Sequence, residues 1–266
     1  MEELRSRARE LLASGAVQVV IGYGRGSGGG ARALFLRDPG RAHELVYDGS
    51  CLQNLCVYLL KPEVRRLGKP ALVAHAAALR TILQLAAENQ LVEGSLLALL
   101  PGRDGIETLA TFAAIEERVA ALGAGPGDEE KRELQHHGAL PLEQRRDFWQ
   151  EQFSRCLKCY ACRAACPLCY CTRCTVECNQ PQWIPVPAHD LGNLEWNVLR
   201  AMHLAGRCVD CGDCSRACPV AIPLHLINRK LAAVVEESFA FRAGRAARAE
   251  NALSTFKPDD AEDFIQ

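Results

Sequence analysis

Along the first 122 positions the spacing of apolar residues changes several times, and each change marks an element. Leu4, Ala8, Leu11 and Leu12 recur at helical spacing, which predicts an amphipathic helix over 2–13 closed by Gly15. The β-branched run Ala16-Val-Gln-Val-Val-Ile21 and the run Arg32-Ala-Leu-Phe-Leu-Arg37 read as strands on either side of Gly22-Tyr-Gly-Arg-Gly-Ser-Gly-Gly-Gly30. Residues 51–60 read as a short helix stopping near Lys61-Pro62. Ala71-Leu-Val-Ala74 reads as a strand leading into a helix at 76–90, with Leu79, Ile82, Leu83 and Ala86 on one face. A strand at 96–100 precedes a helix over 105–122 whose inner side carries Phe112, Ile115, Val119 and Leu122. This alternation predicts an α/β domain over 1–122 with a mainly parallel sheet.

The pattern then breaks. Residues 123–141 are turn-rich and charged, as a linker is. His136-His137 lies there and reads as a solvated pair, not a metal site. A polar helix from about Pro141 leads into Cys156. Leu194, Val198, Ala201 and Ala205 set a helix at 193–205, and Leu224, Ile227, Leu231 and Val234 set another at 223–238. Residues 142–240 are thus predicted to be an α-helical domain. The charged tail 241–266 has too little apolar periodicity for a core of its own and is expected to lie on a partner or to be mobile.

Cysteine placement changes this picture most. Of 14 cysteines, 12 lie between 156 and 218, and only Cys51 and Cys56 lie outside. Cys156-Leu-Lys-Cys159-Tyr-Ala-Cys162-Arg-Ala-Ala-Cys166-Pro167 recurs as Cys208-Val-Asp-Cys211-Gly-Asp-Cys214-Ser-Arg-Ala-Cys218-Pro219. Three cysteines two residues apart wrap one 4Fe-4S cube closely, while the fourth, set before proline, ligates the other run's cube. Cys156, Cys159, Cys162 and Cys218 are therefore assigned to one cluster, and Cys208, Cys211, Cys214 and Cys166 to the second. The fold class expected is an α/β N-terminal domain plus an α-helical ferredoxin-like domain with two 4Fe-4S clusters. Structural zinc prefers two separated Cys-x-x-Cys knuckles, and disulfides need an oxidising compartment.

Four more cysteines, Cys169, Cys171, Cys174 and Cys178, fill the insert between the runs. Three readings stand: a third iron-sulfur cluster, a zinc site, or unmetallated thiols, with Cys51 or Cys56 as a further ligand source. Arg155, Lys158, Arg163 and Arg173 crowd the first run while Asp210 and Asp213 sit in the second, so the Cys208 cluster is expected to have the lower potential.

Composition excludes some classes. With 266 residues and a formal net charge of -1, no global field points to nucleic acid or an anionic membrane surface. No apolar run reaches the ~18 residues of a membrane span, and the start lacks the apolar core of a secretory signal. A cytoplasmic location is expected. The glycine loop runs from strand to strand and not into a helix, so a strand connection is favoured over a phosphate cradle.

With Val19-Val-Ile-Gly-Tyr23, Asn54-Leu-Cys-Val-Tyr-Leu-Leu60, Glu88-Asn-Gln90, the run Cys156–Cys171 and Asn179-Gln-Pro-Gln-Trp183 in view, the chain resembles the beta-subunit family of deazaflavin-reducing hydrogenases and formate dehydrogenases, and related dicluster subunits of heterodisulfide-reductase-like complexes. The resemblance implies an electron-transfer subunit of an anaerobic oxidoreductase complex. Its partners would be other redox subunits: a flavoprotein, a hydrogenase, a formate dehydrogenase or a heterodisulfide-reductase-like protein. Some members of that family bind flavin in the α/β domain. Where fuller members carry Gly-Cys-Asp and Pro-Cys, this chain has Ala74-His75-Ala76 and Leu100-Pro101-Gly102. A docking domain is therefore expected at 1–122. The alternative is a flavin-containing subunit, with FAD or FMN, that reduces a nicotinamide, deazaflavin or quinone-like acceptor.

Overall fold

The computed structural model describes residues 1–249 apart from 104, 124–127, 175, 177 and 179, and omits the side chains of 128–130. The first part runs α1 (Glu2–Ala13), β1 (Val19–Arg25), β2 (Ala31–Leu36), α2 (Pro62–Arg65), β3 (Pro70–Val73), α3 (Ala76–Ala87), β4 (Leu97–Pro101), β5 (Ile106–Leu109) and α4 (Phe112–Leu122). Five strands form one sheet in the order β2-β1-β3-β4-β5. β3 pairs in parallel with β1 and β4, whereas β2 and β5 close the edges in antiparallel pairing. The sheet is mixed, not mainly parallel. Its centre carries continuous apolar runs because β1, β3 and β4 are covered on both faces. Ile82 and Leu83 of α3 are fully buried against it, each burial stabilising by roughly 2 kcal/mol.

Three local expectations change. The segment 51–60 holds only a 3-10 turn at Leu55–Tyr58, because the Asn54 carboxamide accepts from Cys56 N at 3.2 Å and closes the chain tightly. The predicted 105–122 helix is a strand followed by a helix. Ile106-Glu-Thr-Leu109 pairs with β4, and the Thr111 hydroxyl accepts from Ala114 N at 3.2 Å to start α4. The stretch read as a linker contains α5 (Asp128–Ala139), where the His137 ring stacks on Trp149 at 5.3 Å. The glycine loop is a hairpin connection, with Gly26 N donating to Gly30 O at 2.8 Å.

The second part comprises α6 (Leu142–Ser154), α7 (Ala161–Ala165), α8 (Asp190–His203), α9 (Asp213–Arg216) and α10 (Leu224–Phe239). One small core gathers Phe153, Trp196, Ile222 and Leu224, with Cys162 and Cys214 among them. Another gathers Leu85 of α3 with Leu168, Leu204 and Val209. Among the described residues no helix is long and apolar enough to cross a membrane. The beginning of the tail packs on this chain: Gly244 N donates to Gln84 Oε1 at 3.0 Å and Ala247 N to Glu116 Oε1 at 2.7 Å. Residues 250–266, also assigned to a partner-binding tail, lie outside the described residues.

The two parts are joined by a polar knot. Arg207 holds the Glu88 carboxylate through two bonds of 2.7 and 2.6 Å, and the Tyr170 hydroxyl donates to the same carboxylate at 2.6 Å. Burial works against the Glu88 carboxylate, but the bonds from Arg207, Tyr170 and Gln84 outweigh it and hold its pKa below the usual value. Such a group adds stability above its unfolded pKa of about 4.3, and that stability is lost as pH falls through the lower folded value. Glu88→Ala, which strands a partly buried guanidinium, is expected to lower unfolding stability by about 3 kcal/mol at neutral pH. The difference from wild type in denaturant melts should shrink at acid pH, and a difference independent of pH would show that the carboxylate charge is not what matters.

Candidate metal centre

The two cysteine runs fold into the same loop. In the first, Lys158 and Tyr160 take left-handed backbone angles, φ 49 and 59; in the second, Asp210 and Gly212 do, φ 56 and 75. Three of these four are not glycine, and each such angle costs on the order of 1 kcal/mol. A chain bears that cost where surrounding contacts require it. Here the turn aims a backbone N–H at sulfur: Lys158 N donates to Cys156 Sγ at 3.4 Å and Asp210 N to Cys208 Sγ at 3.4 Å. Each loop then enters one short helix, α7 or α9, and these two helices pack together.

That packing mixes the runs. Cys162 lies within electrostatic reach of Cys214 and Cys218 from the other run as well as of Cys156 from its own. Cys208, Cys211 and Cys214 each lie within reach of Cys166. Cys166, Cys208, Cys211 and Cys214 line one small cavity together with Arg200 and Asn228. Cys159 is exposed at the surface beside Leu157, which is 61% exposed. Burial pushes the Cys162 thiol up to about 12 and also raises Cys208, Cys211 and Cys214. Thiolates in such places need bound cationic metal to offset their desolvation.

Among the described residues no three or more His, Cys, Asp or Glu side chains are arranged to hold a metal ion. The donor set, all sulfur, in two groups with N–H···S bonds, fits iron-sulfur clusters.

Two of the insert cysteines are adjacent, Cys178 N donating to Cys174 O at 2.7 Å. Cys169 lies against Cys166, whose thiol is lowered first by the hydrogen bond from Cys169, while Arg200 Nη2 reaches Cys169 Sγ at 3.7 Å. Cys174 packs at the edge of the first core, and Cys171 and Cys178 are exposed. Cys51 and Cys56 are buried in the α/β core, with Cys56 Sγ donating to Ala78 O at 3.3 Å.

The two carboxylates behind the expected charge asymmetry are both paired. Asp210 is paired with Arg229 at 2.7 Å, and Asp213 with Arg216 and with Asn54 N at 2.7 Å. Pairing counters part of their charge, and what remains still acts on the sulfurs, Asp210 on Cys208 and Asp213 on Cys211. On the other side, Lys158 Nζ is engaged by Pro185 O. Sequence reasoning missed Arg200. The buried face of α8 runs through Asn193, Trp196, Asn197 and Arg200, not through Val198, which is exposed. The four-residue step from Trp196 to Arg200 was the available signal.

The end of β3, where α/β folds commonly bind ligands, is covered by the second run. His75 lies two residues past β3, with Asp213 and Arg216 in electrostatic reach, and Arg216 Nη2 donates to Leu52 O at 3.1 Å.

Against known proteins, the chain is 32% identical over 97 residues to the F420-dependent formate dehydrogenase subunit beta of Methanocaldococcus jannaschii, a match covering 36% of this chain and 25% of that protein. Over this segment the chain is similar to that beta subunit. It is also 31% identical over 96 residues to the F420-dependent formate dehydrogenase 1 subunit beta of Methanococcus maripaludis, covering 36% of this chain and 24% of that one. The match spans about a quarter of the length of these formate dehydrogenase subunits. No protein-family model matches the chain.

The geometry ranks the thiols outside the two sets. On brief iodoacetamide treatment of native protein, peptide mass spectrometry should find Cys171 and Cys178 alkylated and Cys56 unmodified, because burial raises the Cys56 thiol and its S–H is already bonded. Labelling of Cys56 as fast as Cys178 would contradict the placement.

Proposed function

We propose that this chain is an iron-sulfur electron-transfer subunit of a cytoplasmic multisubunit oxidoreductase of the formate dehydrogenase, hydrogenase or heterodisulfide-reductase-like type. Cys156, Cys159, Cys162 and Cys218 hold one 4Fe-4S cluster, and Cys208, Cys211, Cys214 and Cys166 hold the other. The observation that supports this reading is two loops of one conformation whose short helices pack together, with Cys218 near Cys162 and Cys166 near Cys208. When bound, each cluster takes up and releases one electron. The chain's own residues do the rest: thiolates hold the iron, and the N–H groups of Lys158, Asp210 and Ile222 donate to sulfur and favour the more negative, reduced state. The exposed Cys159 and Leu157 put the first site at a surface a redox partner can approach. The α/β domain serves as support and docking surface. A flavin beyond the end of β3 would compete with Asp213 and Arg216 for the same space.

Anaerobic purification with iron, sulfide, zinc and flavin quantitation tests the reading. About eight irons and eight sulfides per chain with no flavin are expected. About twelve irons would add a third cluster in the insert. A colourless, zinc-loaded protein, or one with stoichiometric flavin and no iron, would overturn it.

A further inference from the structure

Arg200 lies between the two cysteine sets. It is 5% exposed, on the inner face of α8. Its Nη2 donates to Cys162 O at 2.9 Å and reaches Cys169 Sγ at 3.7 Å, and its side chain lines the cavity formed by Cys166, Cys208, Cys211 and Cys214. Among the described residues no carboxylate lies within ion-pair distance of it, and its Nε has no hydrogen-bond partner. Both facts are costly in isolation. An unpaired buried donor loses about 1–3 kcal/mol, and a buried charge without a counter-ion loses more. The neighbouring cations differ, since Arg216 and Arg229 face Asp213 and Asp210. What surrounds Arg200 is sulfur: Cys169, Cys166, Cys162 and Cys214 all act on its charge.

We propose that Arg200 is a positioning residue shared by the two clusters, its guanidinium held against the second site's cavity and its positive charge raising the one-electron potential of both. The proposal rests on the two-cluster reading. The effect is larger at the second site, whose cavity Arg200 lines, than at the first, where it bonds a backbone carbonyl. The sign follows from charge: reduction makes a cube more negative, and a cation in a medium of low dielectric stabilises that state. Arg200 thus opposes the lower potential that Asp210 and Asp213 would otherwise impose on the second site.

EPR-monitored redox titration of the full chain, prepared anaerobically as wild type, Arg200→Gln and Arg200→Lys, tests this. Wild type is first shown to carry about eight irons; without them the two-cluster reading fails, and the Arg200 proposal with it. With iron content retained, Arg200→Gln is expected to lower the reduced-to-oxidised ratio of the second cluster at fixed potential about tenfold, equivalent to ~59 mV for one electron. The first cluster should shift less, and in the same direction. Arg200→Lys keeps the charge but loses the planar fork, so it should fall between the two. Unchanged midpoints in Arg200→Gln would overturn the role of Arg200 and leave the two-cluster reading standing. Should that variant lose its iron, reduced wild-type protein grown with ¹⁵N-arginine decides the matter. A hyperfine coupling from arginine nitrogen is expected, and its absence would overturn the proposal.

Discussion

The cysteine-bearing half of this molecule depends on one contact, the packing of α7 on α9. Each short helix follows two cysteines on a tight left-handed turn, carries the third, and ends near a fourth cysteine that precedes proline. Proline cannot continue the helix, so the chain leaves at that point and carries the fourth thiol away from its own loop. Only when the two helices lie together do Cys166 and Cys218 arrive beside the opposite sets. Strain at Lys158, Tyr160 and Asp210 is one cost of the arrangement, and burial of several thiols is another. Both are offset only if metal binds, because binding free energy at such sites is folding free energy.

The α/β domain enters this account as a brace. The second loop is tied to it at several points: Asp213 to Asn54 N, Arg80 to Val209 O at 3.2 Å, and Arg216 to Leu52 O. Arg207, just before Cys208, is clamped by Glu88. The first loop is held instead from within its own half, by Asn193 donating to Cys156 O at 2.9 Å, and keeps an exposed edge. One site is therefore buried against the sheet domain and the other opens to the surface.

Much of this was legible in the sequence because the strongest signals are local. The spacing of Leu4, Ala8 and Leu11 marks α1 at Glu2–Ala13, and the doubled cysteine spacing carries the whole candidate site. What was not legible depends on contacts distant in sequence. β5 was hidden because Ile106-Glu-Thr-Leu109 is too short to announce a period of two beside a longer helix. α5 was hidden because its polar residues resemble a linker, while its support comes from α10, where Arg229 and His225 meet Glu133. Asp210 and Asp213 looked like free charge beside sulfur because Arg229 and Arg216 only find them after folding. Arg200 was overlooked because a buried arginine on an apolar helix face has meaning only once its sulfur neighbours are placed.

The exchange of fourth ligands is tested most directly by Cys218→Ser and Cys166→Ser, each prepared anaerobically, assayed for iron and then alkylated before mass spectrometry. In each variant iron should fall to about four per chain, with the damage appearing across the repeat. Cys218→Ser should expose Cys156, Cys159 and Cys162 to alkylation while Cys208, Cys211 and Cys214 stay protected, and Cys166→Ser should do the reverse. If Cys218→Ser instead unprotects Cys208, Cys211 and Cys214, each run holds its own cluster and the account is wrong.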